Sequence, residues 1–238
     1  MSALERVELA TGTKPVGTVI WMHGLGADGW DFVPIVRELG LPAELPLRFI
    51  FPHAPERPVT INNGHVMRAW YDIAQQDIAR VPDERGIRES QGAVEALIAE
   101  EKARGIDASR IVLAGFSQGG AIALQAGLRH GERIAGIMAL STYLPLEASL
   151  ETEASVANRR LPILMVHGTQ DPVIPLQLAE ASRQVLQHRG YQVDWKAYPM
   201  PHSVCAEEVT DIAEFLVEVL GGGADDREPR SSTILLAR

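Results

Sequence analysis

Residues 111–114 read Ile-Val-Leu-Ala, and Gly-Phe-Ser-Gln-Gly follows before the chain resumes an apolar pattern. A strand that is apolar on both faces has to be covered from both sides. A chain with such a strand at its middle cannot fold as a one-sided antiparallel sheet exposed to water. Other short apolar runs repeat the theme: Thr18–Met22, Leu47–Phe51, Ile134–Leu140, Ile163–Val166 and Gln192–Tyr198. Between and after them lie stretches with helical spacing, Gly86–Arg104, Gln118–Arg129, Leu176–Arg189 and Ser203–Leu220. In the first of these Ile87, Ala93-Val94 and Leu97-Ile98 recur at intervals of three to four, and Gly105 stands where a C-terminal cap glycine belongs. This alternation predicts an α/β fold with an open, mostly parallel sheet and helices on both faces.

With 238 residues, 46% of them hydrophobic, the chain can bury one sizeable core. Residues 1–220 read as one domain. From Gly221 the sequence GGGADDREPRSSTILLAR loses periodicity, so residues 221–238 are expected to form a flexible tail. A net charge of −9 without a basic stripe argues against nucleic acid as a partner. The single cysteine, Cys205, excludes an internal disulfide and the common zinc spacings. No apolar signal core and no stretch near 18 apolar residues is present, so the expectation is a cytoplasmic protein without stable membrane insertion. The segment Pro52–Ile73 reads as long and irregular, a small flap in outline.

Gly115-Phe116-Ser117-Gln118-Gly119 is G-x-S-x-G at a strand-to-helix junction. There a serine stands in a tight turn above the C-terminal edge of the sheet, and the flanking glycines let strand and helix approach. The bland alternative is a serine that caps the helix with its hydroxyl, worth about 1 kcal/mol. A serine nucleophile needs a base, and the base needs a carboxylate, in the chain order Ser, acid, His. Of the histidines after Ser117, His130 precedes any placed acid, His167 ends a strand, and His188 falls in the last turn of a helix. His202 lies just past the strand Gln192–Tyr198, where sites of such sheets form. Asp171 follows the strand Ile163–Val166 and is the acid candidate, against the alternative of an ordinary Asp-Pro turn. Asp194 sits within a strand, and Asp211 comes after His202. For the oxyanion, backbone N–H donors are expected at Gln118 and in the loop Trp21–Trp30, where Gly24 and Gly26 would let the Leu25 amide reach the site. That loop lacks phosphate-loop spacing, and His23 reads as a residue that orders it. His53 and His65 read as loop hydrogen-bonders and Cys205 as a small hydrophobe. No metal-ligand spacing occurs, and no cofactor is inferred.

The stretches HGLGADG, PHAPERPVT, WYDI, GFSQGGA, STYLPL, DPVIP and HSVC resemble, in order and spacing, those of the phospholipase/carboxylesterase family. That family includes bacterial carboxylesterases and acyl-protein thioesterases. The resemblance spans about residues 16–220 and implies an α/β-hydrolase fold without a large cap domain. It implies Ser117, Asp171 and His202 as catalytic residues and Leu25 and Gln118 as oxyanion donors. It also implies a place for Trp70 near the acyl pocket, whereas the residue by itself reads equally well as core. Val173, beside the acid, is the other substrate-binding candidate. The leading expectation is a serine carboxylesterase that hydrolyses short- to medium-chain esters of small molecules through an acyl-enzyme. Thioesterase or lysophospholipase activity of the same residues is the alternative, and a non-catalytic binding module the remote one. Family relatives can dimerise, which leaves a homodimer open.

Overall fold

The computed structural model describes residues 4–74 and 82–222. Nine strands and six α-helices are found among them. The main sheet has the order β1-β3-β2-β6-β7-β8-β9. Its strands are β1 (Arg6–Ala10), β2 (Gly17–Met22), β3 (Leu47–Pro52), β6 (Ile111–Phe116), β7 (Gly136–Leu140), β8 (Pro162–Gly168) and β9 (Gln192–Tyr198). All neighbours pair in parallel except β1, which runs antiparallel to β3. The two remaining strands, β4 (Glu56–Val59) and β5 (His65–Arg68), form a separate antiparallel hairpin.

Side-chain alternation along the central strands builds two apolar layers. Ile20, Met22, Ile111 and Leu113 face one way, where α2 (Glu84–Ala103) and α3 (Gln118–Arg129) cover them. Val19, Trp21, Val112 and Ala114 face the other way, toward α1 (Ile35–Glu38) and α6 (Ala206–Gly221). Because both faces are buried, neither can tolerate polar positions, and the strands lack the alternation of a one-sided sheet. The helix α2 starts at Asp83, whose carboxylate accepts the Gly86 N–H at 3.0 Å. Its far end is tied to the sheet by the fully buried Glu101, which accepts from Thr18 Oγ1 at 2.6 Å and from Arg48 at 2.7 Å. Removing one partner would strand a buried charge, a loss on the order of 3–5 kcal/mol.

The expected elements recur with ends shifted by a few residues. Residues 52–73 differ from the irregular loop read in the sequence, because they hold the β4–β5 hairpin. Its turn runs through Asn63 (φ 56°) and Gly64 (φ 73°), a pair suited to positive φ and a recognisable hairpin signal. No cap domain intervenes between β7 and β8: the connection holds α4 (Glu147–Glu153) and a 3₁₀ turn, Val156–Asn158. The helix α4 is clamped onto α3 by Arg129, which bonds Glu153 at 2.7 Å and Ser149 at 2.9 Å. The remaining helix is α5 (Leu176–His188). The tail read from 221 onward lies, beyond residue 222, outside the described residues.

Candidate active site

The strand order reverses between β2 and β6. The chain leaves β2 for β3 on one side and later returns to place β6 on the other. Ligand sites of open parallel sheets form at the carboxyl ends of strands flanking such a reversal. The loop after β2 carries Leu25, and the turn after β6 carries Ser117.

Ser117 has φ 54° and ψ −120°, a conformation that costs a non-glycine residue about 1–3 kcal/mol. Its surroundings enforce it. The Ser117 N–H donates to Leu140 O at 2.8 Å, and its carbonyl accepts from Thr142 Oγ1 at 2.6 Å. A Cβ on Gly115 would lie 2.2 Å from the Gly119 carbonyl, and one on Gly119 would lie 2.3 Å from Met22 O. The glycines therefore let α3 start directly against the ends of β6 and β2. Ser117 occupies the N-cap position of α3, yet its side chain makes no capping hydrogen bond. The capping alternative thus has no geometric support.

Across the site, Asp171 divides its carboxylate between two tasks. Oδ1 accepts the N–H groups of Val173 at 2.8 Å and Ile174 at 2.9 Å. Oδ2 accepts from His202 Nδ1 at 2.6 Å. One oxygen thus serves the Asp-Pro turn, and the other faces the His202 imidazole. The Asp171 side chain is fully buried, while that of His202 keeps 16% of its surface exposed. With the Nδ1 proton engaged, His202 Nε2 is left as an acceptor. Phe116, next to Ser117, packs its ring against His202 with centroids 4.6 Å apart.

The loop after β2 is held by buried polar contacts. His23 Nε2 accepts the Ala54 N–H at 3.0 Å, so the proton resides on Nδ1, which donates to Gly24 O at 2.7 Å. Burial pushes the His23 pKa down to about 4, keeping it neutral in this role. A Cβ on Gly24 would stand 3.6 Å from Ser117 Cβ, so the backbone passes close to the serine. Among the described residues, the N–H groups of Leu25 and Gln118 have no backbone acceptor. The Gln118 side chain is employed elsewhere. Its Oε1 accepts the Trp70 N–H at 2.8 Å, and its Nε2 donates to Tyr71 O at 2.7 Å.

Trp70 is completely buried, and its indole N–H donates to His23 O at 2.9 Å. Both readings of this residue keep a basis: it packs in the apolar core, and together with Leu4, Pro55, Arg57 and Ser90 it lines a cavity beside α2. It cross-links the loop after β2, α3 and the stretch after β5. Val173 is 53% exposed beside Asp171, at the rim. His53 accepts the Gly29 N–H at 3.0 Å, as a loop-ordering residue would. Cys205 is half-buried at the N-cap of α6 against the second apolar layer. Thr142, which fixes the Ser117 carbonyl, has no sequence signature of its own. In the sequence His167 reads only as a histidine that ends a strand. Its place at the end of a buried strand, four residues before Asp171, was the available signal.

Among the described residues, no group of three or more His, Cys, Asp or Glu could hold a metal ion, and no helix is long and apolar enough to cross a membrane.

Comparison with known proteins extends the geometry. The chain is 42% identical to acyl-protein thioesterase 1 of Neurospora crassa over 228 residues, covering 92% of this chain and 93% of that protein. It is 39% identical to acyl-protein thioesterase 1 of Gibberella zeae, covering 86% and 91%. Among solved structures, acyl-protein thioesterase 2 of Zea mays superposes with a TM-score of 0.81 at 28% identity, covering 91% of this chain and 99% of that one. A family model described as Phospholipase/Carboxylesterase matches residues 5–220. The chain belongs to the phospholipase/carboxylesterase family, as a serine hydrolase on the α/β-hydrolase fold.

Proposed function

We propose that the protein is an acyl thioesterase of the protein-deacylating kind, with Ser117, His202 and Asp171 as its catalytic residues. His202 Nε2 takes the Ser117 proton as Oγ attacks the acyl carbonyl. The oxyanion of the tetrahedral intermediate is met by the Leu25 and Gln118 amides at the N-terminal end of α3, where the helix dipole adds to them. The C–S bond breaks, and His202 returns the proton to the departing thiolate. Water, deprotonated by His202, then attacks the acyl-serine; the ester C–O bond breaks, His202 returns the proton to Ser117 Oγ, and the carboxylic acid leaves. Asp171 holds the imidazole in the Nδ1–H tautomer and stabilises its cation. The observation that carries this reading is the 2.6 Å bond between His202 and the buried Asp171, beside a strained serine whose hydroxyl does not cap its helix.

The names of the relatives favour a thioester substrate over the small carboxylic esters first expected. The short α4 connection supports a groove without a cap, suited to acyl chains that it buries only in part. Matched oxygen and sulfur esters of the same acyl group, together with an S-acylated cysteine peptide, test the assignment. The expected result is higher kcat/KM on the thioester peptide and no turnover by Ser117→Ala. Faster hydrolysis of the simple oxygen esters would restore the carboxylesterase reading.

A further inference from the structure

A second imidazole stands beside the acid. His167 ends β8, is 1% exposed, and shares the loop that carries Asp171. Its Nε2 lies 2.9 Å from Ile174 O and 3.6 Å from Asp171 Oδ2. A carbonyl can only accept, so the Nε2 proton is donated to Ile174. The same Ile174 gives its N–H to Asp171 Oδ1 at 2.9 Å. The loop is thus closed by two bonds through one residue: Asp171 binds the N–H of Ile174 and His167 binds its carbonyl.

We propose that His167 is a positioning residue for the catalytic acid, holding the 171–174 turn so that Asp171 Oδ2 is directed at His202 alone. The inference rests on the catalytic assignment above. His167 Nδ1 is buried without a hydrogen-bond partner among the described residues. A second proton would have to sit there with no acceptor and would create a cation 3.6 Å from Asp171 Oδ2, in competition with His202. The surroundings oppose that state. Burial lowers the pKa of His167, and the neighbouring His202 adds to the effect, while Asp171 and Glu180 of α5 pull the other way. On the remaining side, Trp195 of β9 stacks on the His167 ring at 14° with centroids 6.3 Å apart, and the Arg183 guanidinium of α5 lies over Trp195 at 5.1 Å. His167 is kept as a neutral single donor, which serves a role in aiming the acid and not in proton transfer.

The test compares His167→Leu, which removes the donor, with His167→Gln, whose amide can reach Ile174 O without titrating. His167→Leu should lower kcat by about 10- to 100-fold, the scale of lost outer-shell partners of catalytic groups, with KM within about twofold. Fluorophosphonate labelling of Ser117 should slow by the same factor in protein of verified fold, and His167→Gln should recover most of both rates. Wild-type kcat in a folded His167→Leu, or equal losses in the Leu and Gln variants, would overturn the inference. Should His167→Leu not fold, His167→Asn replaces it, because its shorter amide falls short of Ile174. An active Gln variant beside an impaired Asn variant supports the role, and equal activities refute it. Ser117→Ala separates the two levels of the argument, since residual turnover there would indict the catalytic assignment itself.

Discussion

The two sides of the site are held by different physics. On the nucleophile side, backbone meets backbone: Gly115, Gly119 and Gly120 let α3 press against β6, β2 and Thr142 with no room for a methyl group. On the acid–base side, contact is polar and specific. One carboxylate is shared among two amides and one imidazole, and a second imidazole fastens the same loop. The first side should fail when volume is added and be indifferent to pH. The second should tolerate isosteric change in shape and fail when a donor or charge is lost.

The sharpest separation comes from Asp171→Asn. The amide keeps an oxygen for Val173 and Ile174, so the fold should survive, while kcat should fall by on the order of 10⁴ as His202 loses its tautomer and partner. Near-wild-type turnover by this variant would erase the distinction. On the other side, Gly119→Ala places a methyl group 2.3 Å from Met22 O, which is backbone and cannot swing away. A loss of about 3 kcal/mol or more is expected in urea unfolding, at the upper end of overpacking costs. If the variant were as stable as wild type, the close-packing account of the nucleophile side would be wrong.

The pH dependence of kcat/KM should belong to the acid–base side. The base must be neutral to accept a proton, so activity should fall as the medium becomes acidic. His23, held near 4 by burial, should contribute nothing to this limb. A flat profile between pH 5 and 8 on a neutral substrate would remove His202 from its role.

The smallest effect concerns Glu208, a second buried carboxyl in the first turn of α6, close in sequence to His202. It is fully buried, and neither oxygen has a hydrogen-bond partner among the described residues. Burial raises its pKa to about 8, against a smaller opposing pull from the Cys205 amide. Asp171, by contrast, is buried with every oxygen engaged. For Glu208 the folded state holds its proton after the unfolded chain has released it. Stability should therefore be full below about pH 4.5 and decline as pH rises through about 8. Glu208→Gln removes that titration and should be more stable than wild type at pH 8, with the gap closing near pH 4. Parallel stability curves for the two proteins would show that Glu208 is not held as a neutral acid.

What the sequence determined by itself was whatever depends on neighbours along the chain. The two-sided apolar strands dictated a covered parallel sheet, and Gly115, Ser117 and Gly119 announced a strained turn, because the glycine requirement is imposed within five residues. That Ser117, Asp171 and His202 lie at one sheet edge was legible because each follows a strand and parallel strands present their ends on one edge. The Asn63-Gly64 pair is a local hairpin signal as well, masked by the irregular look of its flanks.

The tertiary structure alone decided the rest, since those contacts join residues far apart in the chain. Trp70 became a buried cross-link when its indole met the His23 carbonyl and its amide met Gln118. Thr142 reached Ser117 across the β6–β7 pairing. His167 depended on the Asp171 turn folding back over its own strand end. Its bond to Ile174 spans only seven residues, but β8, β9 and α5 must first assemble to enclose the ring. Local chain preference marks where a nucleophile can stand. Burial and the pairing of distant polar groups decide which carboxylate finds partners and which imidazole carries its proton on which nitrogen.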